Sequence, residues 1–199
     1  MDTNLTLPQL KTLVATYQGY DLAMIRAIIA TESSGIGFSR LAPYRIIIRF
    51  EPTWFKREFA NWQAEKQDWM NTGVQNQTDE WKAFDAAFAV DPKAAMLSTS
   101  IGMAQIMGFH YSDLGFKSVD EFWDFCKQSE INQIDCMLRF IRGNPSLDKA
   151  VRNLDYSSFA YYYNGAYYKE LAAKSGDLPY DVRIAANRKK FLALQATGN

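Results

Sequence analysis

The sequence predicts a mainly α-helical fold with one small β element. Apolar residues recur at helical spacing along most of the chain, and one short run is rich in β-branched residues. A hydrophobic content of 48% over 199 residues is enough to bury a substantial core. Because the sequence contains neither an internal repeat nor a low-complexity linker, we expect residues 1–199 to form a single domain.

The first part of the chain is typical of two helices followed by a strand. The segments "TLPQLKTLVATYQGY" and "DLAMIRAIIATE" have Thr6 and Asp21 as candidate N-caps. The isoleucine-rich segment "RIIIRFEPTWF" is the best candidate strand, and Pro52 ends it. A helical pattern resumes over 53–70, and the polar segment "NTGVQNQT" (71–78) indicates a loop.

The remainder of the chain again shows helical patterns. "DEWKAFDAAFAV" predicts a helix, and "AAMLSTSIGMAQIMGF" predicts a short helix closed by Gly108. "SVDEFWDFCKQSEINQIDCMLRFIRGN" predicts two helices or one broken helix, with Ser118 and Glu121 as a capping box. "SLDKAVRN" and "DYSSFAYYYNGAYY" indicate short helices, and "PYDVRIAANRKKFLALQ" indicates a closing amphipathic helix.

The charge balance excludes several classes of partner. Lys plus Arg equals Asp plus Glu, 22 each, so bulk attraction to nucleic acid or to an anionic membrane is not expected. No apolar run approaches the roughly 18 residues of a membrane span, so we expect no membrane insertion. The N-terminal "MDTNLTLPQLK" has neither the basic nor the apolar region of a Sec signal peptide. We therefore expect synthesis in the cytoplasm without a signal peptide.

Cysteine and histidine give no sign of a metal site. Cys126 and Cys136 match no CxxC pattern and are expected to be reduced residues on helices. The single histidine, His110, cannot build a zinc site alone and is expected to be at the surface or hydrogen-bonded. The sequence therefore implies no metal and no organic cofactor.

Glu32 stands where a carboxylate is electrostatically disfavoured. It continues the apolar stripe of the second helix, four residues after Ile28 and three after Ile29. Burial and the negative end of the helix dipole would both raise its pKa. Such a group is suited to act as a general acid near neutral pH. The alternative is a glutamate at a frayed helix end that is rotated into water.

Two further stretches carry residues suited to binding sugars. In "STSIGMAQIMG" (98–108), Gly102 permits close approach of the backbone, and Gln105 offers a hydrogen-bond acceptor and donors. In "FAYYYNGAYY" (159–168), five tyrosines surround Asn164, and aromatic faces can stack on sugar rings. The alternatives are a small-residue helix contact for the first stretch and a core helix followed by a turn for the second.

In this order, the three stretches resemble the lysozyme superfamily, and the closer resemblance is to the N-acetylmuramidase family of phage endolysins and some secreted bacterial proteins. The residues that carry it are Glu32-Ser33 with Gly35 and Gly37-Phe38, Phe50-Glu51 with Phe55, Ser98-Thr99-Ser100 with Gly102 and Gln105 through Phe109, Ser129-Glu130 with Gln133, and Tyr163-Asn164-Gly165. The resemblance implies a lysozyme-like helical domain with a small β-strand or hairpin element after the helix of Glu32.

The resemblance also implies a chemistry and two catalytic residues. The bond cleaved would be the β-1,4 link between N-acetylmuramic acid and N-acetylglucosamine in peptidoglycan. Glu32 would protonate the leaving oxygen, and Glu51 would activate water or stabilise the oxocarbenium-like transition state. The alternative for Glu51 is a structural ion pair with Arg49 or Arg45.

Further roles follow from the same resemblance. Ser100, Gln105, Tyr163 and Asn164 would line the substrate cleft. Glu130 could support the site, but a helix-surface pair with Lys127, three residues before it, is the favoured interpretation.

Several functional alternatives stay open at this stage. A lytic transglycosylase would use one acid/base and leave anhydro ends, and a wall-binding domain would keep the fold without catalysis. A phage endolysin, released by a holin to reach the periplasm and cell wall, is favoured over a secreted antibacterial toxin with an immunity protein. The expected partner is the peptidoglycan glycan strand, and the expected state is a monomer.

Overall fold

The computed structural model describes residues 4–39, 45–59 and 76–197, and most of these residues are helical. The helices are α1 (Leu7–Thr16), α2 (Leu22–Ser33), α3 (Pro52–Glu58), α4 (Gln77–Val90), α5 (Pro92–Leu97), α6 (Val119–Gln128), α7 (Glu130–Gly143), α8 (Pro145–Arg152), α9 (Tyr156–Asn164), α10 (Tyr168–Ser175) and α11 (Tyr180–Ala196). The strands are β1 (Ile48–Phe50), β2 (Thr99–Ile101) and β3 (Ile106–Met107). The predicted mainly α class, with a small β element after the helix of Glu32, is confirmed.

The chain packs as two compact units. The helical unit comprises Leu5–Gly35 and Leu138–Asn199, and the sheet-containing unit comprises Ile36–Met137 together with Met1–Asn4. Each unit has a hydrophobic core of its own among the described residues. The expectation of a single domain over residues 1–199 stays a prediction.

In the helical unit, α2 packs against α1 and α11, while α9 packs against α8, α10 and α11. Met24, Ile25 and Ile28 of α2 are completely buried, as expected for a helix that is apolar around most of its circumference. Asp21 caps α2 by accepting a hydrogen bond from the backbone N–H of Met24 at 2.7 Å. The predicted N-cap is thus confirmed, and α2 is held at its start as well as along its length.

The sheet-containing unit is built on an antiparallel sheet in the order β1-β2-β3. Arg49 pairs with Ser100 across β1 and β2, and Ser100 pairs with Met107 across β2 and β3. On the other side of β1, α4 supplies side chains instead of a strand. Gln77 bonds to both N and O of Ile48, Glu80 accepts from N of Phe50 at 2.7 Å, and Trp81 donates to O of Ile46.

The region after α5 differs from its prediction. The helix ends at Leu97, and the segment predicted to continue it to Gly108 forms the hairpin of β2 and β3. Gly108 begins a one-turn 3₁₀ helix rather than ending an α-helix. The reason is non-local, because β2 gains its backbone partners from β1 and a single-segment pattern does not reveal that pairing.

Two other boundaries differ as well. The predicted loop 71–78 lies partly outside the described residues, and α4 begins at Gln77, inside that range. The predicted helix in 53–70 is present as α3 up to Glu58, and its continuation over 60–70 lies outside the described residues. The tyrosine-rich segment forms two helices, because Gly165 ends α9 at a positive φ of 104° and α10 follows.

Candidate active site

Glu32 lies in the last turn of α2 in the helical unit. The next residues leave the helix through left-handed backbone conformations, with φ of 56° at Ser34 and 78° at Gly35. Glycine takes this conformation without strain, which explains a Gly immediately after the helix. The carboxyl group therefore lies at the negative end of the helix dipole, as the sequence predicts.

Two residues of α11 surround the carboxyl group of Glu32. The Tyr180 hydroxyl donates a hydrogen bond to Oε1 of Glu32, and the Arg183 guanidinium acts on it electrostatically. Arg183 is itself anchored, since its Nη2 donates to the backbone O of Thr31 at 2.8 Å. Burial raises the pKa of Glu32 to about 7, although Tyr180 and Arg183 both lower it. A substantial fraction of Glu32 is therefore protonated at neutral pH.

Tyr163 lies beside this acid within the same unit. Its ring stacks on Phe159 at a centroid distance of 4.9 Å and on Tyr180 at 6.4 Å, and meets the edge of Phe140 at 5.9 Å. Burial and the negative charge of Glu32 raise the pKa of Tyr163 well above its ordinary value, so its hydroxyl keeps its proton. Asn164, the next residue, is exposed at the end of α9. The structure thus brings Glu32 and Tyr163 together.

Ser100 and Gln105 meet in the hairpin of the sheet-containing unit. The hydroxyl of Ser100 donates to Oε1 of Gln105 at 3.0 Å, and Nε2 of Gln105 donates to the backbone O of Gly102 at 2.9 Å. Gln105 has a positive φ of 50°, which is uncommon for a side chain of its size. These bonds fix the amide of Gln105 against the turn.

Glu51 follows β1 on the same side of the sheet as Arg49. Its carboxylate forms an ion pair with Nε of Arg49 at 3.0 Å, whereas Arg45 pairs with Asp85. One of the two structural partners considered from the sequence is therefore present. Ser100 is paired opposite Arg49, so Glu51 and the Ser100–Gln105 pair belong to one face of this unit.

The prediction for Glu130 is wrong. Glu130 is buried, and its Oε1 accepts a hydrogen bond from the backbone N–H of Gly37 at 2.9 Å. Lys127 pairs instead with Asp124. The local three-residue spacing suggested a surface pair. Because Glu130 is buried, its carboxylate needs a hydrogen-bond donor inside the fold, and the backbone N–H of Gly37 supplies one.

Gln133, three residues after Glu130 on α7, ties the same region to the hairpin. Its Oε1 accepts from the backbone N–H of Met103 at 2.8 Å, and its Nε2 donates to the backbone O of Cys126 at 3.1 Å. A Cβ on Gly102 would lie 2.7 Å from the Gln133 amide carbon, and a Cβ on Gly37 would be closer still to its oxygen. Both glycines of the predicted motifs are thus required by close packing around one buried amide.

Sequence reasoning missed three groups that act on the predicted carboxylates. Tyr180 and Arg183 were assigned only to a closing amphipathic helix, although their three-residue spacing places them on one face of α11. Glu80 was also missed, and it lies in a helical stretch with ordinary polar spacing. Burial raises the pKa of Glu80, while its bond from Phe50 and the charge of Arg49 lower it, and Glu51 raises it.

The residues considered for metal or redox chemistry take other roles. His110 bonds to Asp113 at 3.0 Å, which confirms the hydrogen-bonded interpretation. Cys126 and Cys136 lie on α6 and α7, as predicted, with buried and unbridged thiols 3.7 Å apart. Over residues 4–39, 45–59 and 76–197, no group of three or more potential ligands could hold a metal ion.

In the same described part of the chain, no helix has the length and apolar character needed to cross a bilayer.

Comparison with known proteins addresses the family directly. The model of the Muramidase family, described as N-acetylmuramidase, matches residues 21–192. A search of curated protein sequences finds no significant match. The crystal structure of the endolysin of Burkholderia AP3 phage is similar, with a TM-score of 0.82 and 29% sequence identity over 98% of this chain and 73% of that one. The predicted lysozyme-like class is thereby confirmed, and because the family model spans most of its length, the chain belongs to the N-acetylmuramidase family.

Proposed function

We propose that the protein is a peptidoglycan hydrolase of the phage endolysin type that cleaves the β-1,4 bond between N-acetylmuramic acid and N-acetylglucosamine, with Glu32 as the general acid. The proposal rests on family membership, on the likeness to a phage endolysin, and on the environment of Glu32. The observation that carries it is the largely enclosed helix-end carboxyl group of Glu32, which accepts a hydrogen bond from Tyr180 and whose pKa burial raises to about 7.

In this reaction, protonated Glu32 gives its proton to the glycosidic oxygen while the bond from that oxygen to the anomeric carbon breaks. The electron pair of the bond leaves with the oxygen, and positive charge develops on the sugar ring. Glu32 becomes a carboxylate as this happens. The Tyr180 hydroxyl and the Arg183 guanidinium then stabilise the new charge, because both interact with that carboxyl group. Water adds its hydroxyl to the anomeric carbon and completes the new reducing end, and its remaining proton, directly or through solvent, returns Glu32 to its acid form.

The other predicted site residues have proposed roles consistent with their positions. Tyr163 and Asn164 would contribute sugar contacts beside Glu32, and the fixed amide of Gln105 with Ser100 would bind sugar substituents. The role of Glu51 as second carboxylate stays a prediction. Its carboxylate is paired with Nε of Arg49 at 3.0 Å and remains partly exposed, so it is accessible to water or to a substrate.

The experiment that tests the function is mass spectrometry of fragments released from purified peptidoglycan. Wild-type protein is expected to release fragments with reducing muramic acid ends, and Glu32→Gln is expected to release none above background. Glu170→Gln, which changes an exposed glutamate of α10, is the matched control and should retain wild-type release. Fragments with anhydro ends would indicate a lytic transglycosylase, and no release by wild-type protein would contradict the enzymatic proposal.

The setting that fits this activity is lysis of a bacterial host by a phage. The protein would be made in the cytoplasm and reach the cell wall after a holin opens the membrane. A holin gene beside this one would support the setting, whereas a neighbouring immunity gene would indicate a secreted toxin.

A further inference from the structure

The outer face of α9 and α10 carries an unusual concentration of exposed apolar side chains. Of the eight large hydrophobic residues that are exposed in the described part of the chain, six lie between Tyr161 and Val182. Tyr161 and Tyr162 are 51% and 49% exposed, and their rings are in contact. Scattered single apolar residues on a surface need no explanation, but adjacent exposed rings of this kind indicate a binding surface.

This face is separate from the one that serves Glu32. Phe159 and Tyr163 are four residues apart on α9 and point into the helical unit, where both stack on Tyr180. Tyr161 lies on the opposite side of the same helix from Phe159, and Tyr162 lies between the two faces with about half of its surface exposed. A ligand can therefore contact Tyr161 and Tyr162 without displacing Phe159 and Tyr163 from their stacking on Tyr180.

The outer face contains a shallow groove that is open to solvent. Its volume is about 410 Å³, within the range of about 300–1,000 Å³ typical of ligand sites. The lining residues are Ser157, Ser158, Tyr161, Tyr162, Ala166, Tyr168 and Lys169. The rings of Tyr161 and Tyr162 pack edge to face at 5.1 Å, which orients both before any ligand binds.

One wall of the groove is ordered by a single carboxylate behind it. Asp181 accepts hydrogen bonds from the hydroxyls of Ser157 and Tyr168 at 3.1 and 3.0 Å. Nζ of Lys169 lies 3.7 Å from the same carboxylate and remains 60% exposed. The hydroxyls of Tyr161 and Tyr162 have no protein hydrogen-bond partner in the described part of the chain. They are therefore available to a ligand.

The chemistry of the lining selects the class of ligand. Every lining side chain except that of Ala166 ends in a hydroxyl or an ammonium group, and none of the lining residues carries a carboxylate. An apolar face of another protein would leave the hydroxyls of Tyr161 and Tyr162 without partners. A glycan offers apolar sugar faces for the tyrosine rings and many acceptors for the donors. The muramyl and peptide-stem carboxylates of peptidoglycan would complement Lys169.

We propose that the groove on the outer face of α9 and α10 is a second binding site for peptidoglycan glycan strands, distinct from the catalytic residues. The inference rests on the proposed function, since it takes the same polymer as the ligand. Such a site retains the enzyme on an insoluble substrate between cleavage events and adds to its apparent affinity by multivalent attachment.

The test measures binding to purified peptidoglycan sacculi in the Glu32→Gln background, so that the substrate is not consumed. Adding Tyr161→Ala and Tyr162→Ala is expected to weaken sacculus binding by about tenfold, as the loss of two stacking rings implies. In protein with native Glu32, the same two changes should leave hydrolysis of a short soluble glycan oligomer unchanged. Lys169→Ala, at an exposed position, is the second variant and should weaken binding by about threefold.

Tyr167→Ala is the matched control, because Tyr167 is the most exposed tyrosine of the segment and does not line the groove. Unchanged sacculus binding in the Tyr161→Ala Tyr162→Ala protein, or an equal loss in Tyr167→Ala, would overturn the inference. A dimer that dissociates in the double variant while sacculus binding persists would also overturn it, by assigning the face to a second copy. Failure of wild-type protein to release fragments would instead contradict the proposed function.

Discussion

At the scale of single residues, the proton on Glu32 makes catalysis depend on pH. The reaction needs the protonated form, and the pKa is about 7, so kcat should fall as the pH rises through that value. The hydrogen bond from Tyr180 lowers this pKa, and its removal must raise the pKa further. The hydrogen bond from Tyr180 therefore keeps the upper pH limit of activity below the value that burial alone would give.

We predict that Tyr180→Phe moves the alkaline limb of the kcat profile to higher pH and lowers the maximal rate by about tenfold, since the carboxylate formed in the reaction loses a donor. The measurement is the pH dependence of fragment release. Tyr20→Phe is the control, because it removes a tyrosine hydrogen bond to Asp148 within the same unit and leaves Glu32 unaffected. An unshifted alkaline limb in Tyr180→Phe would remove Tyr180 from the mechanism.

The raised pKa of Glu32 also has a cost in stability. Below pH 4.5 the carboxyl is protonated in both folded and unfolded chains, and its titration contributes nothing. As the pH rises from 4.5 to about 7, only the unfolded chain releases the proton, so the folded state becomes less stable. Above that range the cost is constant, at an upper limit of about 3 kcal/mol.

Glu32→Gln is therefore predicted to stabilise the protein more at high pH than at low pH. Urea denaturation at about pH 4 and at about pH 8 should show a gain over wild type that grows by about 1–3 kcal/mol. Glu170→Gln, which changes an exposed glutamate of α10, is the control. A gain of Glu32→Gln that is equal at the two pH values would mean that Glu32 titrates normally.

The carboxylate itself could be predicted from the sequence, because a local pattern places it on a buried stripe. Its partners could not, because Tyr180 is 148 residues away and its contact depends on α11 packing against α2. The same limit explains the error at Glu130. Local spacing predicted an ion pair with Lys127, whereas in the folded chain Glu130 accepts a hydrogen bond from the backbone N–H of Gly37.

At the scale of elements, the segment around Gly37 is packed against α7 without room for a side chain. A Cβ on Gly37 would lie 2.8 Å from carbons of both Glu130 and Met103, and would meet the oxygen of Gln133 at an even shorter distance. Real Cβ atoms do not approach so closely, so the surrounding groups would have to move. That movement would weaken two buried hydrogen bonds, which Glu130 and Gln133 accept from the backbone N–H groups of Gly37 and Met103.

Gly37→Ala is thus predicted to lower the free energy of unfolding by about 2–4 kcal/mol, measured by thermal or urea denaturation. Gly143→Ala is the control, since a Cβ there meets nothing within 4 Å. That change should be neutral or slightly stabilising. Equal stability of the two variants would show that the region around Gly37 adapts freely.

Elements with strong local signals were predicted well, and the hairpin was not. Thr6, Asp21 and Ser118 each cap a helix at the expected position, because a cap is decided within three residues. The strands β2 and β3 are short, and local spacing does not encode the pairing of β2 with β1 and of β3 with β2.

At the scale of the whole molecule, equal numbers of acidic and basic residues limit the influence of long-range charge. With 22 of each, the sequence offers no bulk attraction to an anionic cell wall. Sacculus binding should then change less than about threefold between about 50 and about 300 mM NaCl, since salt weakens attraction between exposed charges and the protein has no net charge to attract the wall. A steep loss of binding with salt, measured by the same sacculus assay, would contradict this and indicate a strongly basic contact surface.

The hydrogen bonds from α4 to β1 have a consequence for the behaviour of the protein at high concentration. A free strand edge is a template on which another chain can add a strand and begin to aggregate. Here Gln77 and Glu80 occupy backbone groups of β1 that an added strand would need, and Trp81 occupies the backbone O of Ile46 just before it. Gln77→Ala, which frees both groups of Ile48, is therefore expected to aggregate faster on concentration or mild heating than wild type, as light scattering would detect. The side chains of α4 thus protect the edge of the sheet from strand addition while the protein is at high concentration.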